Sequence, residues 1–208
     1  MDIIEKLQWR YATKKFDNNK IIPQDKIKRI KEAFNLTATS YGMQPIKLLI
    51  IKNKALQKEL VPHSFNQQQV AQASHLLVFC ISDITDATIT EYFDRVKTIR
   101  NTPDDILTPF KEYLLESFSK KDTHELKTYA TKQAYLAMGN LLTVCAIEGI
   151  DACPMEGFEP TAYDEVLALA DKGLQSVLAM PIGYRAKDDM FATFKKVRKT
   201  VAESTLEL

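Results

Sequence analysis

His75-Leu76-Leu77-Val78-Phe79-Cys80-Ile81-Ser82 is an apolar run of strand length, and its apolar residues are continuous rather than alternating. That pattern predicts a strand buried on both faces, at the centre of a covered sheet. Residues 46–52 (Ile-Lys-Leu-Leu-Ile-Ile-Lys) read as a second strand, and residues 150–154 and 175–183 as two more. Helical patterns surround them. Residues 2–9 carry Ile3 and Leu7 on one face. Residues 24–35 follow Pro23 and repeat Ile27, Ile30 and Phe34 at helical spacing. Short helices are expected at 53–60 and 65–72, a charged amphipathic one at 87–100, and another at 103–120 after Thr102-Pro103-Asp104-Asp105. The longest is expected at 122–148, and a further one at 160–170 with Gly173 at the position of a C-terminal cap. The expectation is an α+β fold, a small and mainly antiparallel sheet wrapped by helices. No repeat, low-complexity stretch or linker divides residues 1–208, so one domain is expected.

Composition narrows the class. Of the 208 residues, 45% are apolar and 26% charged, and the net charge is +1, which gives no electrostatic case for nucleic acid or an acidic membrane. The longest apolar runs are too short to span a bilayer. The opening Met-Asp-Ile-Ile-Glu-Lys lacks the pattern of a secretion signal. Cys80, Cys145 and Cys153 have no paired spacing, so reduced, buried thiols in a cytoplasmic protein are expected. His63, His75 and His124 show no metal-ligand spacing and read as structural or solvated.

From Ala134 to Ile147 the long helix is apolar almost all round, which predicts burial in a core or an interface. Gln133 and Asn140 lie seven apart on one stripe of it. They read either as partners of nearby backbone or as residues fixing the register of a subunit interface. The tail from 186 is polar and basic and ends in Thr205-Leu206-Glu207-Leu208. That end has the makings of a strand but little local surface to pack on, so it either frays or docks on a second subunit.

None of the six glycines builds a phosphate-binding turn. If the chain holds a nucleotide-like cofactor, side chains must hold its phosphate, with about two positive charges for a dianion. Arg10 and Lys14 lie in Arg10-Tyr11-Ala12-Thr13-Lys14-Lys15-Phe16-Asp17, and Lys196 and Arg198 lie near the other end. Taken alone, each of these cations reads as an ordinary solvated charge.

Read in order, several short pieces resemble the nitroreductase family, in its oxygen-insensitive nitroreductase and dihydropteridine-reductase branch. They are Arg10-x-x-Thr13-Lys14-x-Phe16-Asp17, Gln44-Pro45, Asn66, Ala73-Ser74-His75, Lys132-Gln133-x-Tyr135 and Gly139-Asn140. They continue in Pro154-Met155-Glu156-Gly157-Phe158, Phe191-Ala192-Thr193 and Lys196-x-Arg198. The resemblance implies an intertwined homodimer with exchanged C-terminal tails and FMN at the subunit interface. It implies NADH or NADPH as hydride donor and a ping-pong transfer of two electrons to a nitroaromatic, quinone or pterin. Arg10, Lys196 and Arg198 would bind the phosphate, beside Tyr11 and Ala12. Lys14, Asn66 and Gln69 would lie at the flavin ring, and Pro154, Met155, Glu156 and Gly157 would cover one of its faces. Lys14 would stabilise negative charge on reduced flavin. Thr39, Ser40 and Gly42 would reach over the cofactor from the other subunit, and Tyr41 and Leu115 would face the substrate. Glu156 reads equally as a plain turn carboxylate. Gln69 stands where related enzymes often have a lysine, which implies a lower flavin potential. A flavin reductase, an ene-type reductase or a flavin-storage module with little turnover are the alternatives.

Overall fold

In the computed structural model, which describes residues 2–208, strand β2 (His75–Ser82) is central, as its sequence requires. It pairs antiparallel with β1 (Ile46–Ile51) on one side and with β4 (Leu174–Gly183) on the other. The short β3 (Asp151–Ala152) adds to the far edge of β4, giving the order β1-β2-β4-β3.

The two-residue period of β2 divides its side chains between two cores. Leu77, Phe79 and Ile81 enter one, with Leu178, Met180 and Ile182 of β4. Leu76, Val78 and Cys80 enter the other, with Ala179, Leu60, Phe158 and Tyr163. Both faces are covered, which is why an antiparallel strand lacks the alternation of a half-solvated one. The pairing slips between Phe79 and Cys80, so that Leu178 and Ser176 of β4 oppose consecutive residues of β2. The extra residue reverses the sense of β4, and Leu174 drops into the second core while Leu178 stays in the first.

The first core is roofed by helices. α2 (Gln24–Asn35) contributes Ile27 and Ile30, α5 (Asp86–Arg100) Ile89 and Phe93, and α6 (Asp104–Ser119) Leu114 and Phe118. The long α7 (Thr123–Ile147) contributes Ala134, Met138, Leu141 and Cys145. α5 and α7 start on reciprocal capping boxes, Thr85 with Thr88 and Asp122 with Glu125. α1 (Ile3–Trp9), capped by Asp2, lies against α7 and buries none of its residues fully. α3 (Lys54–Glu59), α4 (Gln69–Gln72) and α8 (Pro160–Val166) belong to the opposite face.

Four expectations shift. The helix expected at 65–72 is only α4, because Phe65 and Asn66 are both left-handed, at φ 52° and 59°. α8 ends at Val166, and Gly173 (φ 62°) instead caps the one-turn helix Ala170–Lys172. The strand of 150–154 contracts to β3, since only Asp151 and Ala152 find ladder partners. The tail forms a short α9 (Val201–Ser204), not a strand at 205–208, and ends with Leu206 and Leu208 exposed.

Candidate active site

The segment 10–17 leaves α1 at Arg10, whose backbone is already extended (ψ 143°). It then runs beside the sheet. Ala12 bridges Ala152 in parallel sense, and Phe16 bridges Arg185. Phe16 is buried where the chain leaves β4. A Cβ on Gly183 would stand 2.9 Å from the Phe16 ring and 3.1 Å from the Ser74 backbone nitrogen, so glycine is what lets the ring close on the strand.

Two buried carboxylates, neither among the candidate residues read from the sequence, brace this segment. Asp151 accepts from Arg185 Nε at 2.7 Å and from the Arg185 backbone N–H at 2.9 Å, and Thr13 Oγ1 lies 3.5 Å from it. The Arg185 guanidinium lies over Trp9 and Tyr11, its central carbon 4.3 and 4.6 Å from the ring centroids. Asp189 accepts from Tyr11 Oη, from the Lys14 and Lys15 amides and from the Phe191 amide. Burial and the bond to Asp189 push the Tyr11 phenol well above its ordinary pKa.

The brace brings the two ends of the chain together. Lys196 Nζ donates to the Arg10 carbonyl. Burial, then the charge of Arg198, pushes the Arg10 guanidinium below its usual pKa. Lys196 is lowered by burial, then by Arg10 and Arg198. Among the described residues, none of these three cations has an acidic side chain within ion-pair distance. Three neighbouring cations without an acidic partner among the described residues have the chemistry of a candidate anion site. The donor set, two guanidiniums and an ammonium, suits a phosphate dianion.

Next to it lies a mostly neutral surface. Lys14 extends toward Cys153, with Nζ 3.6 Å from Sγ. Burial raises the Cys153 thiol pKa, against the opposing charge of Lys14. Met155 is buried and pairs with Ala179 across an isolated bridge, while Pro154 is half-buried. Gln69, also buried, donates to Gln67 Oε1 at 2.8 Å, and Gln67 donates to the Gly157 carbonyl at 2.8 Å. Gln69 thus places a neutral amide here and steadies the 154–157 segment through Gln67. Asn66 is exposed at the rim, its left-handed backbone fixed by its N–H on the Val61 carbonyl at 3.1 Å. Exposed Glu156 accepts from Tyr135 Oη at 2.8 Å, and that bond is the leading cause of a raised Tyr135 pKa.

The remaining expected residues lie elsewhere. Thr39, Ser40, Tyr41 and Gly42 form a tight turn, with Tyr41 and Gly42 left-handed at φ 57° and 75°. Gln133 Oε1 accepts from the Ser40 N–H at 2.9 Å, and Tyr129 Oη donates to the Ser40 carbonyl. Asn140 donates to the Ala33 carbonyl and to Thr37 Oγ1. The polar pair of α7 therefore serves backbone and a threonine hydroxyl of its own chain. The Tyr41 ring packs against Phe110 and Phe118, and Leu115 is half-buried against the first core. Gln133, which holds this turn, and Tyr135, which reaches Glu156, are two residues apart, or roughly 200° around α7. The 39–42 turn and the 154–157 segment thus flank opposite sides of one helix. Within a single chain the two halves of the expected site do not face each other.

The chain carries the sequence signature of the nitroreductase family, whose family model matches residues 7–184, and it belongs to that family. It is 31% identical over 205 residues to the major NAD(P)H-flavin oxidoreductase of Aliivibrio fischeri, covering 95% of this chain and 94% of that one. It is 30% identical over 214 residues to YfkO of Bacillus subtilis, provisionally described as an NAD(P)H nitroreductase, covering 96% of each. In fold it is similar to a provisionally assigned nitroreductase of Exiguobacterium sibiricum, whose structure is a complex with FMN. The TM-score is 0.84 at 20% identity, covering all of this chain and 98% of that one. The nitroreductase-like α+β fold expected from sequence is the fold observed.

Proposed function

We propose that this protein is an FMN-dependent NAD(P)H oxidoreductase that works as a homodimer and passes two electrons to small flat acceptors such as nitroaromatics, quinones or pterins. The observation that carries the proposal is the cluster of Arg10, Lys196 and Arg198, which lacks a carboxylate partner among the described residues. The A. fischeri relative is named for NAD(P)H-flavin oxidoreduction, and the E. sibiricum structure contains FMN. Both support the same reading.

When bound, FMN supplies the ring that accepts and returns hydride. The chain's own residues do the rest. Arg10, Lys196 and Arg198 hold the phosphate, with Tyr11 and Ala12 lining the adjacent backbone. Lys14 presents a fixed ammonium that stabilises developing negative charge without moving. Asn66 serves the polar edge of the site, while Pro154, Met155, Glu156 and Gly157 wall one side and keep water off it. Gln69 acts on that wall through Gln67.

Two observations favour the dimer. The 39–42 turn lies on the far flank of α7 from the 154–157 wall, so a second copy is needed to bring Thr39, Ser40 and Gly42 over the cofactor, with Tyr41 and Leu115 toward the substrate. The tail also leaves Val197, Val201, Leu206 and Leu208 at least 76% exposed, while β1 pairs on one side only. An exchanged tail satisfies both surfaces. Sedimentation at micromolar concentration, together with NAD(P)H oxidation using menadione, tests this reading. Dimers with flavin-dependent turnover support it. Flavin-loaded protein without turnover favours a storage role, and a stable monomer rejects the two-chain site.

A further inference from the structure

We infer that Asp189 is a positioning residue that locks the two cation-bearing ends of the chain against each other and thereby sets the preference for a phosphate-bearing flavin. The inference rests on the phosphate reading above.

Asp189 is 4% exposed, and no cationic side chain lies within ion-pair distance of it among the described residues. Its charge is spread instead over four neutral donors. Oδ2 accepts from Tyr11 Oη at 2.8 Å, the Lys14 N–H at 3.0 Å and the Lys15 N–H at 3.2 Å. Oδ1 accepts from the Phe191 N–H at 3.2 Å. Three donors therefore come from the segment that carries Arg10 and Lys14. The fourth opens the turn Met190–Thr193, which leads to Lys196 and Arg198.

Arg10, Lys196 and Arg198 repel one another, so they do not assemble by themselves. Lys196 reaches the Arg10 carbonyl, but through a single exposed and flexible side chain. Asp189 is the buried group that bonds both segments closest to the cations. By holding them together before ligand arrives, it removes an ordering cost that the phosphate would otherwise bear. Asp188, its exposed neighbour, also joins the two segments through Lys15, but as a solvated ion pair of little energetic weight.

The test compares FMN with riboflavin, which lacks the phosphate, by fluorescence quenching on wild type, Asp189→Asn and Tyr11→Phe. Asp189→Asn should weaken FMN roughly tenfold or more and leave riboflavin nearly unchanged, so the FMN-to-riboflavin ratio falls. Tyr11→Phe, which removes one donor and keeps the carboxylate, should lower the ratio less, and it carries the test if Asp189→Asn folds poorly. Hydrogen exchange should show protection lost together at residues 11–15 and 189–198. An unchanged ratio with unchanged exchange overturns the proposal, as does an equal loss for both flavins. If wild type itself does not prefer FMN, the phosphate reading fails, and hydrogen exchange alone then judges whether Asp189 joins the two segments.

Discussion

Arg185→Ala should be among the most damaging single changes outside the two cores. The arginine side chain is 23% exposed and its partner Asp151 only 4%, with the ion pair at 2.6 Å. Removing one partner of a buried pair costs about 3–5 kcal/mol, because the other charge is left without compensation. Here the arginine is partly solvated and water can enter the space, so the lower part of that range applies to the pair. The contacts over Trp9 and Tyr11 add roughly 0.5–1 kcal/mol at such a site. The Arg185 backbone N–H still reaches Asp151 in the variant and offsets some of the loss. The total comes to about 3 kcal/mol, or a fall of roughly 6–12 °C in Tm for a chain of this size. The assay is urea unfolding of wild type, Arg185→Ala, Asp151→Ala and the double variant. A coupled pair predicts a double variant much less destabilised than the sum of the singles. A single-variant loss below about 1 kcal/mol, or strict additivity, would refute the reasoning that Asp151 is a buried charge dependent on Arg185.

Arg10→Ala should weaken FMN binding by about 1.5–3 kcal/mol, the worth of a charge-assisted bond, read by flavin fluorescence titration; unchanged affinity would remove Arg10 from the phosphate site. Gly183→Ala should cost about 1–3 kcal/mol by overpacking, since its Cβ meets the Phe16 ring and the Ser74 backbone; Phe16→Leu in the same chain should recover part of the loss in thermal melts. His75 is pushed down to about 4, chiefly by burial and then by Lys52 and Lys54. Its folded value lies below its unfolded one, so the unfolded chain binds the extra proton, and stability should fall as pH drops from about 6.5 toward 4. Urea melts across that window should show the decline, and His75→Gln should flatten it.

The parts of the fold legible in sequence are those whose signal is local. β2 announced itself because every residue from His75 to Ile81 is buried, and a continuous apolar run needs no knowledge of partners. α5 and α7 begin within one residue of where their helical patterns were expected to begin. The failures are non-local. Nothing near Phe65 and Asn66 marks two successive left-handed residues, a turn closed by the Asn66 N–H on the Val61 carbonyl. Asp151 and Asp189 are the braces of the site, yet their partners lie 34 residues or more away along the chain, apart from Phe191, so no spacing betrays them. What hint existed was chemical: an acid set between the apolar Ile150 and Ala152, and a second acid within a basic tail. The cations of the site were legible only as a pair of pairs, Arg10 with Lys14 and Lys196 with Arg198, whose meeting requires the whole fold. The tail's strand character stayed unrealised because a strand needs an edge to pair with, and Thr205–Leu208 lies on no edge of its own sheet.

The central claim is that this chain holds a reducible flavin. The most direct test is the visible absorbance of the purified protein, reconstituted with FMN if necessary, before and after anaerobic addition of NADH or NADPH. The account predicts a bound-flavin band that bleaches on addition. A colourless protein that takes up no FMN would contradict it.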